Sequence, residues 1–235
     1  MTSEERKQIR IILWDFDGTL TNFEMAQSAA LRAGYEAFGY GPCDDDCVQR
    51  YAEHNRAVWR KVENEEVDKA TLLVQRFVDF FREEGLPTDR AAEFNRFFQL
   101  ALGDTIVYND HSYELVSSLK GQLPQYIVTN GTLASQTNKL AKSGFGELVD
   151  GAFVSEATGY DKPADGYFDY VFKHIPDCPR DQILIVGDSL TSDMQGGLNQ
   201  GLVTAWYNPK RKPMPEDMPI DYDLRDLNEV KEILR

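Results

Sequence analysis

The chain has 235 residues, of which 42% are hydrophobic and 11% aromatic, enough for a core domain with a smaller domain inserted into it. Its 39 acidic and 25 basic residues give a formal net charge of −14. This charge argues against a nucleic-acid polymer or an anionic membrane as the partner, because both bind basic surfaces, whereas a few local cations suffice to hold a small phosphorylated substrate.

The N-terminal segment and the cysteines indicate in which compartment of the cell the protein is expected. The sequence lacks an apolar run of about 18 residues, so we expect no membrane-spanning helix. Residues 1–7 are polar and lack the apolar core of a signal peptide. Cys43, Cys47 and Cys178 suit a reducing cytoplasm because they are few and odd in number. Cys43 and Cys47, with His54 further on, also suggest a zinc site, but no fourth ligand has suitable spacing, so we interpret the cysteines as free thiols.

An apolar strand is predicted first, over residues 9–14, and it ends in Asp15-Phe16-Asp17-Gly18-Thr19. Side chains two positions apart on a strand point the same way, so the carboxylates of Asp15 and Asp17 should converge at its carboxyl end. Two carboxylates that close repel each other, which indicates a metal ion or a lysine between them. Ligands bind at the carboxyl ends of strands in open α/β sheets, so this segment predicts a catalytic site.

Residues 23–102 carry a helical pattern without a strand signal, and breaks between helices fall at 39–42 and 85–87. Apolar side chains recur on one helical face at Phe77, Val78, Phe80 and Phe81, and again at Phe94, Phe97 and Phe98, with charges between them. We interpret these aromatic positions as the core of a helical bundle rather than as a ligand site.

After Gly103 the pattern alternates between strand and helix. Strands are predicted at 125–129, 151–154, 182–186 and 202–206, and helices at 111–120, 133–143, 165–174, from 192 and at 226–234. This alternation predicts a Rossmann-like three-layer α/β/α core with a mainly parallel sheet. The helical block interrupts that pattern, so we assign 1–21 and 104–235 to the α/β catalytic core and 22–103 to an inserted all-helical cap domain.

Four polar segments line up at the ends of predicted strands. They are Asp15 to Thr19, Thr129-Asn130-Gly131, Lys162-Pro163, and Gly187-Asp188-Ser189 with Asp193 beyond. Taken singly, Thr129-Asn130-Gly131 also fits a turn and helix cap, Lys162 a solvated lysine and Asp188 a helix cap. Their order and their common placement favour one joint site.

This ordered set resembles the haloacid dehalogenase-like (HAD) superfamily, specifically its phosphatase branch, over the whole chain. The segment Asp15-x-Asp17-Gly18-Thr19 is highly specific for that superfamily, and the helical insertion is similar to its first class of helical cap. Asn22 departs from the pattern, because many relatives carry an acid there, but the catalytic set is intact.

The resemblance implies roles for the carboxylates. Asp15 would be the nucleophile that forms an aspartyl-phosphate, and Asp17 would be the general acid and then the general base. Mg²⁺ prefers hard oxygen ligands, and Asp15, the backbone carbonyl of Asp17 and Asp188 match the ligands of the family. Asp193 would act behind these ligands by orienting a metal-bound water or Lys162.

The resemblance also implies the groups that hold the substrate. Thr129, with the backbone amides of Asn130 and Gly131 at a helix N-terminus, would bind phosphate oxygens. Lys162 would offset the negative charge of the nucleophile and the phosphoryl group, so Thr129 and Lys162 join the catalytic set. In the cap, Trp59 would stack on a base and Asn55 would face the same cleft, although plain packing explains both positions equally well.

Residues 129–209 and the cap pair Asn55-x-x-x-Trp59 look most like the pyrimidine 5′-nucleotidases of this branch. We therefore expect a cytoplasmic, Mg²⁺-dependent phosphomonoester hydrolase of a small phosphorylated metabolite, with a nucleoside 5′-monophosphate as the best candidate. The alternatives are a phosphatase of a sugar phosphate or phosphoglycolate, and a phosphomutase. A haloacid dehalogenase would not need Asp17, and a non-catalytic binding module would lack a catalytic carboxylate, so both are disfavoured. The sequence leaves the physiological substrate and the oligomeric state open.

Overall fold

The structure, a computed structural model, describes residues 8–63 and 69–235 and divides into two compact units. Unit 1 comprises the described residues up to Asn22, Tyr108–Leu133 and Ser143–Arg235, and unit 2 comprises those of Phe23–Val107 and Ala134–Lys142. The domain bounds 1–21, 22–103 and 104–235 stay a prediction. In the part of the chain that is described, no helix is both long and apolar enough to cross a membrane.

A six-stranded, all-parallel sheet forms the centre of unit 1, which confirms the predicted fold class. The strands are β1 (Ile11–Trp14), β2 (Gln125–Thr129), β3 (Gly151–Val154), β4 (Ile183–Gly187), β5 (Val203–Tyr207) and β6 (Tyr222–Leu224). Their order across the sheet is β3-β2-β1-β4-β5-β6. The chain therefore reverses its direction of travel across the sheet between β1 and β4, where open α/β sheets bind ligands.

Helices cover this sheet because its strands are apolar on both faces. Those with residues in unit 1 are α5 (Ser112–Leu119), α6 (Leu133–Ser143, mostly in unit 2), α7 (Ser155–Thr158), α8 (Asp165–His174), α9 (Gln195–Asn199) and α10 (Val230–Ile233). Phe168 and Val171 of α8 pack with Ile11 and Leu13 of β1. On the opposite face, Trp14 donates to the Gln125 side chain, which donates in turn to a carbonyl of α5.

The predicted elements of unit 1 are confirmed, with shifts of at most four residues at their ends. The sequence interpretation missed β6, which is only three residues long and contains Asp223, a residue type that is rare in strands. The helix predicted from residue 192 begins as a wider π-helical turn over Leu190–Met194 before α9. Short elements like these are fixed by their neighbours more than by their own pattern.

Unit 2 is helical, as predicted for this block. It contains α1 (Phe23–Phe38), α2 (Asp45–Glu63), α3 (Lys69–Glu83) and α4 (Ala91–Leu102), together with most of α6. Most of the predicted aromatic positions form its core: Phe77, Phe80, Phe81, Phe94 and Phe98 are at most 1% exposed and belong to one apolar cluster. Phe97 is only half-buried, and its ring contacts Phe38. Their interpretation as a bundle core is confirmed.

A buried guanidinium joins three of these helices. Arg76 of α3 is 2% exposed and donates to the side-chain oxygens of Asn55 on α2, at 2.7 Å, and of Asn95 on α4, at 3.0 Å. The Asn55 amide in turn donates to the side chain of Gln27 on α1 at 2.6 Å. Burial lowers the pKa of Arg76. These amide oxygens satisfy the buried cation and fix the helices relative to each other.

Two cysteine thiols lie in contact within unit 2. The sulfur atoms of Cys43 and Cys47 are 3.4 Å apart, and the second lies 3.3 Å from the hydroxyl of Tyr35. Both are free, as the sequence interpretation expected, and both are buried. Desolvation, and next the hydrogen bond with Cys47, raises the pKa of Cys43 to about 12.

This environment predicts a slow thiol. Because only the thiolate is nucleophilic and the raised pKa disfavours it, iodoacetamide at about pH 8 should label Cys43 at least ~10² times more slowly than free cysteine. Labelling should accelerate as pH rises. Peptide mass spectrometry measures the rate, and the urea-unfolded chain is the control. Complete labelling of folded protein at the rate of free cysteine would contradict the assigned burial.

Candidate active site

The site residues gather at the carboxyl ends of β1, β2 and β4. Trp14 at the end of β1 is in register with Val186 of β4, and the Asp15 amide donates to the Val186 carbonyl at 2.9 Å. Asp15 and Asp188 therefore flank the point where the strand order reverses. This position matches the expectation drawn from the strand-end pattern.

Lys162 lies between two of the carboxylates. Its ammonium is 2.9 Å from Oδ1 of Asp15 and 2.6 Å from Oδ1 of Asp193, and it also donates to the Val128 carbonyl at 2.8 Å. Asp15, Asp193 and Lys162 are all buried, and Lys162 is 1% exposed. The alternative of a solvated lysine is therefore wrong.

These contacts use all three ammonium hydrogens of Lys162. The lysine thus offsets the charge of Asp15 and fixes its position, and it has no further hydrogen to donate to a phosphate in this arrangement. Burial works against the ammonium, but the charges of Asp15 and Asp193 outweigh that effect and raise the pKa of Lys162. It is therefore a fixed cation at neutral pH.

Asn130 holds the backbone that carries this lysine. Its side-chain oxygen accepts from the Lys162 amide at 2.7 Å, and its side-chain nitrogen donates to the Lys162 carbonyl at 2.8 Å. The amide of Gly131 donates to Oγ1 of the buried Thr129 at 3.1 Å. The predicted phosphate contacts of Thr129, Asn130 and Gly131 stay a prediction. The additional finding is that the side chain of Asn130 positions Lys162.

Asp193 and Asp188 complete the cluster. Asp193 accepts from the Ser189 amide through Oδ2, and only a glycine at 187 leaves room, since a Cβ there would lie 2.2 Å from that oxygen. The side chain of Asp188 is exposed at the mouth of the site, and its Oδ1 lies 3.4 Å from the Thr19 hydroxyl. Its backbone carbonyl accepts from the Trp206 indole.

The cluster has the composition of a divalent cation site. One carboxylate oxygen from each of Asp15, Asp188 and Asp193 lies within 4.8 Å of the others. Oδ2 of Asp15 is buried and has no hydrogen-bond partner among the described residues. Three carboxylates against the single ammonium of Lys162 leave a formal excess of two negative charges. Hard oxygen donors and this excess fit Mg²⁺.

The pKa values report the same electrostatic imbalance. Desolvation, and next the charge of Asp193, raises the pKa of Asp15 to about 7, against the opposing effect of Lys162. For Asp188, desolvation in the crowded site and the charges of Asp15 and Asp193 raise the pKa well above its usual range, opposed by Lys162 and Lys212. Solvent reaches the Asp188 side chain, so its charged neighbours contribute to this shift alongside desolvation. A divalent cation would favour the ionised form of both groups.

Asp17 is half-buried beside this cluster. Its Oδ1 lies 3.4 Å from the hydroxyl of Thr21, which also donates to the Phe16 carbonyl. Thr21 forms a β-bridge with Tyr108. The general acid proposed from the sequence is therefore oriented by a residue four positions further along.

Two functional positions escaped the sequence interpretation. The side-chain nitrogen of Asn109 donates to the carbonyls of Gly18 at 3.2 Å and Thr19 at 2.9 Å, and the Ser112 hydroxyl donates to the Leu20 carbonyl at 2.6 Å. They fix the loop that carries Asp17. No sequence signal marks them, because the loop lies about 90 positions earlier in the chain.

Asn55 and Trp59, which the sequence predicts to contact the substrate from the cap, belong to unit 2. Both polar ends of the Asn55 amide are used there, by Gln27 and Arg76, and Asn55 is 2% exposed. Trp59 is partly exposed, and the ammonium of Lys69 lies 5.7 Å from its ring centroid. The substrate contacts proposed for these two residues stay a prediction, which the engaged amide of Asn55 does not favour.

Gly18 offers a direct test of the cluster. Its φ of +98° is unfavourable for other residues, and a Cβ there would lie 2.6 Å from Oδ1 of Asp188. We expect Gly18→Ala to displace Asp188 and lower kcat/KM about 100-fold. Gly121→Ala is the matched control, because Gly121 has φ +76° but open space around its Cβ position. Steady-state kinetics on both variants measures the effect. Equal kcat/KM values for Gly18→Ala and Gly121→Ala would show that the contact with Asp188 is unimportant.

Comparisons with known proteins identify the family and several relatives of this chain. The sequence matches the haloacid dehalogenase-like hydrolase family over residues 9–201. It is 37% identical over 232 residues to the HAD-hydrolase YfnB of Bacillus subtilis, covering 97% of this chain and 96% of that protein. It is 31% identical over 207 residues to the pyrimidine 5′-nucleotidase PynA of Streptococcus pneumoniae, covering 85% and 84%. A magnesium-bound crystal structure of YfnB matches with a TM-score of 0.90 and 35% identity, covering 97% of this chain and 100% of that chain.

Proposed function

The chain belongs to the haloacid dehalogenase-like hydrolases, and on that premise we propose that it is a Mg²⁺-dependent phosphatase that forms an aspartyl-phosphate intermediate. One observation carries the proposal: Asp15 is held at the end of β1 by Lys162, with Asp188 and Asp193 converging on the same point. The family resemblance assigns the nucleophile to this position.

The proposed reaction has two displacements at phosphorus. The Asp15 carboxylate attacks phosphorus and forms an acyl-phosphate bond, while the bond to the ester oxygen breaks and Asp17 protonates that oxygen. Asp17, now ionised, then takes a proton from water. The water oxygen attacks phosphorus, inorganic phosphate leaves, and Asp15 is restored. Thr21 and Asn109 hold the loop that places Asp17 for both transfers.

The remaining charged residues hold the reacting groups. Asp15, Asp188 and the backbone carbonyl of Asp17 would bind Mg²⁺, which when bound supplies positive charge to the phosphoryl oxygens. Lys162 offsets the charge of Asp15, and Asp193 keeps the lysine in place. Phosphoryl transfer depends chiefly on such positioning and electrostatics.

For the substrate we propose a nucleoside 5′-monophosphate. The similarity to PynA over 85% of the chain and the partly exposed Trp59, which offers a stacking surface for a base, support this choice. The internally bonded Asn55 amide supports a second candidate, a sugar phosphate or another small phosphorylated metabolite, because it leaves less recognition for a base. The free thiols Cys43, Cys47 and Cys178 suit a cytoplasmic location.

A metabolite screen tests the proposal. Purified protein is assayed with p-nitrophenyl phosphate and a panel of nucleoside and sugar monophosphates, with Mg²⁺ and after EDTA, and substrates are ranked by kcat/KM. We expect Mg²⁺-dependent phosphate release with nucleoside 5′-monophosphates ranked first. Phosphate release no faster than that of the Asp15→Asn variant would refute the proposed phosphatase activity. A sugar phosphate ranked first would refute the proposed nucleotide substrate. Transfer of phosphate between positions of one sugar would instead identify a mutase.

A further inference from the structure

A basic segment follows β5 in this acidic chain. Lys210, Arg211 and Lys212 are consecutive and exposed, whereas the whole chain carries a formal net charge of −14. Neither Arg211 nor Lys212 forms a side-chain ion pair with a residue in the described ranges 8–63 and 69–235. Two unpaired cations are thus available to an external anion.

The backbone of this segment is firmly held. Asn208 is 2% exposed, and its side-chain oxygen accepts from the Lys212 amide while its side-chain nitrogen donates to the Lys212 carbonyl, both at 2.9 Å. The Arg211 amide donates to the Asn208 carbonyl at 3.0 Å, and the φ of Arg211 is +53°. A buried amide therefore closes a compact loop that displays the two cations.

This loop leaves the sheet beside the candidate active site. Trp206 of β5 is in register with Gly187 of β4, so the chain after β5 emerges next to Asp188. The Trp206 indole donates to the Asp188 carbonyl at 3.0 Å. Lys212 is one of two lysines whose positive charge acts on Asp188. Lys212 consequently lies at the mouth of the site, and Arg211 precedes it directly in the same loop.

The charge of the proposed substrate gives these cations a role. A phosphate monoester is a dianion near neutral pH, and it must approach a cluster of carboxylates on a strongly acidic protein. Exposed cations at the mouth offset part of the local negative charge and raise the local concentration of an anion. Lys162 is enclosed by its three acceptors and has no hydrogen left for an approaching substrate.

We propose that Arg211 and Lys212 form a cationic rim that captures the phosphate dianion of the substrate at the mouth of the active site. The rim rests on the proposed phosphatase function and deepens it by adding two binding residues outside the set inferred from the family. It acts on capture of the substrate and leaves the chemical step to Asp15 and Asp17.

The test is a double variant, Arg211→Gln with Lys212→Gln, assayed as full-length protein with Mg²⁺ over a range of salt concentrations. We expect KM to rise about ten-fold at low salt with kcat within about two-fold of the parent, and the difference to shrink as salt increases. Calorimetric binding of inorganic phosphate should weaken by about the same factor, which is a readout independent of turnover.

A charge-matched control separates a local rim from net charge. Lys120→Gln with Lys173→Gln removes two exposed cations at the ends of α5 and α8, next to the amino edge of the sheet. We expect its KM and phosphate affinity to stay near the parent values. The proposed rim would be overturned by an equal rise in KM in both double variants. It would also be overturned by an unchanged KM in the variant Arg211→Gln with Lys212→Gln. A parent protein without phosphatase activity would overturn the proposed function instead.

Discussion

Replacement of Asp15 by asparagine is expected to lower kcat by about 10⁴-fold or more, the order of loss that follows removal of an activated nucleophile. A carboxamide cannot form the acyl-phosphate bond. Its oxygen can still accept the hydrogen bond from Lys162, so the local structure should persist. Removing one charge from a crowded cluster of carboxylates also relieves repulsion, and we expect an unchanged or higher Tm.

Kinetics and mass spectrometry check this result together. Acid-quenched parent enzyme should carry one phosphoryl group on the peptide that contains Asp15, and the variant should carry none. Asp169→Asn, a substitution of an exposed carboxylate on α8, is the control and should behave like the parent. A variant at position 15 that keeps activity within ten-fold of the parent would assign the nucleophile elsewhere.

Replacement of Lys162 by methionine is expected to affect stability as well as activity. It leaves Asp15 and Asp193 buried without their shared cation, and breaking a buried ion pair from one side costs about 3–5 kcal/mol of unfolding free energy. Activity should fall by at least ~10²-fold, because the charge that offsets the nucleophile is gone. Urea denaturation and steady-state kinetics measure the two effects.

A double-mutant cycle ties the stability loss to this contact. The double variant Lys162→Met with Asp15→Asn no longer buries the unpaired charge of Asp15. Its loss of unfolding free energy should therefore be smaller than the sum of the two single losses, by about 0.5–3 kcal/mol. If the two effects simply add, the contact between Lys162 and Asp15 contributes nothing, and the assigned role of the lysine is wrong.

Much of the fold follows from local patterns. The strand from 125 to 129 and the helix from 133 to 143 are observed at the predicted bounds, since apolar periodicity and flanking turn residues determine both. The alternation of strands and helices was enough to predict a parallel sheet. The strand β6 could not be found this way, because three residues carry no periodicity and its pairing with β5 comes from packing.

The candidate site was likewise predictable only in part. Its reactive groups were predictable, because a residue that follows an apolar strand in a parallel sheet must lie at the carboxyl edge, where the ends of neighbouring strands meet. Asp15 and Asp188, which directly follow β1 and β4, are accordingly brought together. Lys162 reaches the same point from the loop beyond α7. The burial of Asn55 was not predictable, since the Gln27 and Arg76 side chains that enclose its amide lie on two other helices.

The sequence by itself thus determined which chemical groups reach the edge of the sheet, since strand periodicity and chain order are local properties. Only the tertiary structure decided how those groups are paired. The ammonium of Lys162 meets Asp15 across 147 positions of chain, and Asn109 meets Thr19 across 90. Such contacts depend on the packing of whole elements, which brings buried donors and acceptors together because leaving either unpaired is costly. That pairing distinguishes Lys162, a fully enclosed counter-ion, from Arg211 and Lys212, whose charges remain open to a substrate.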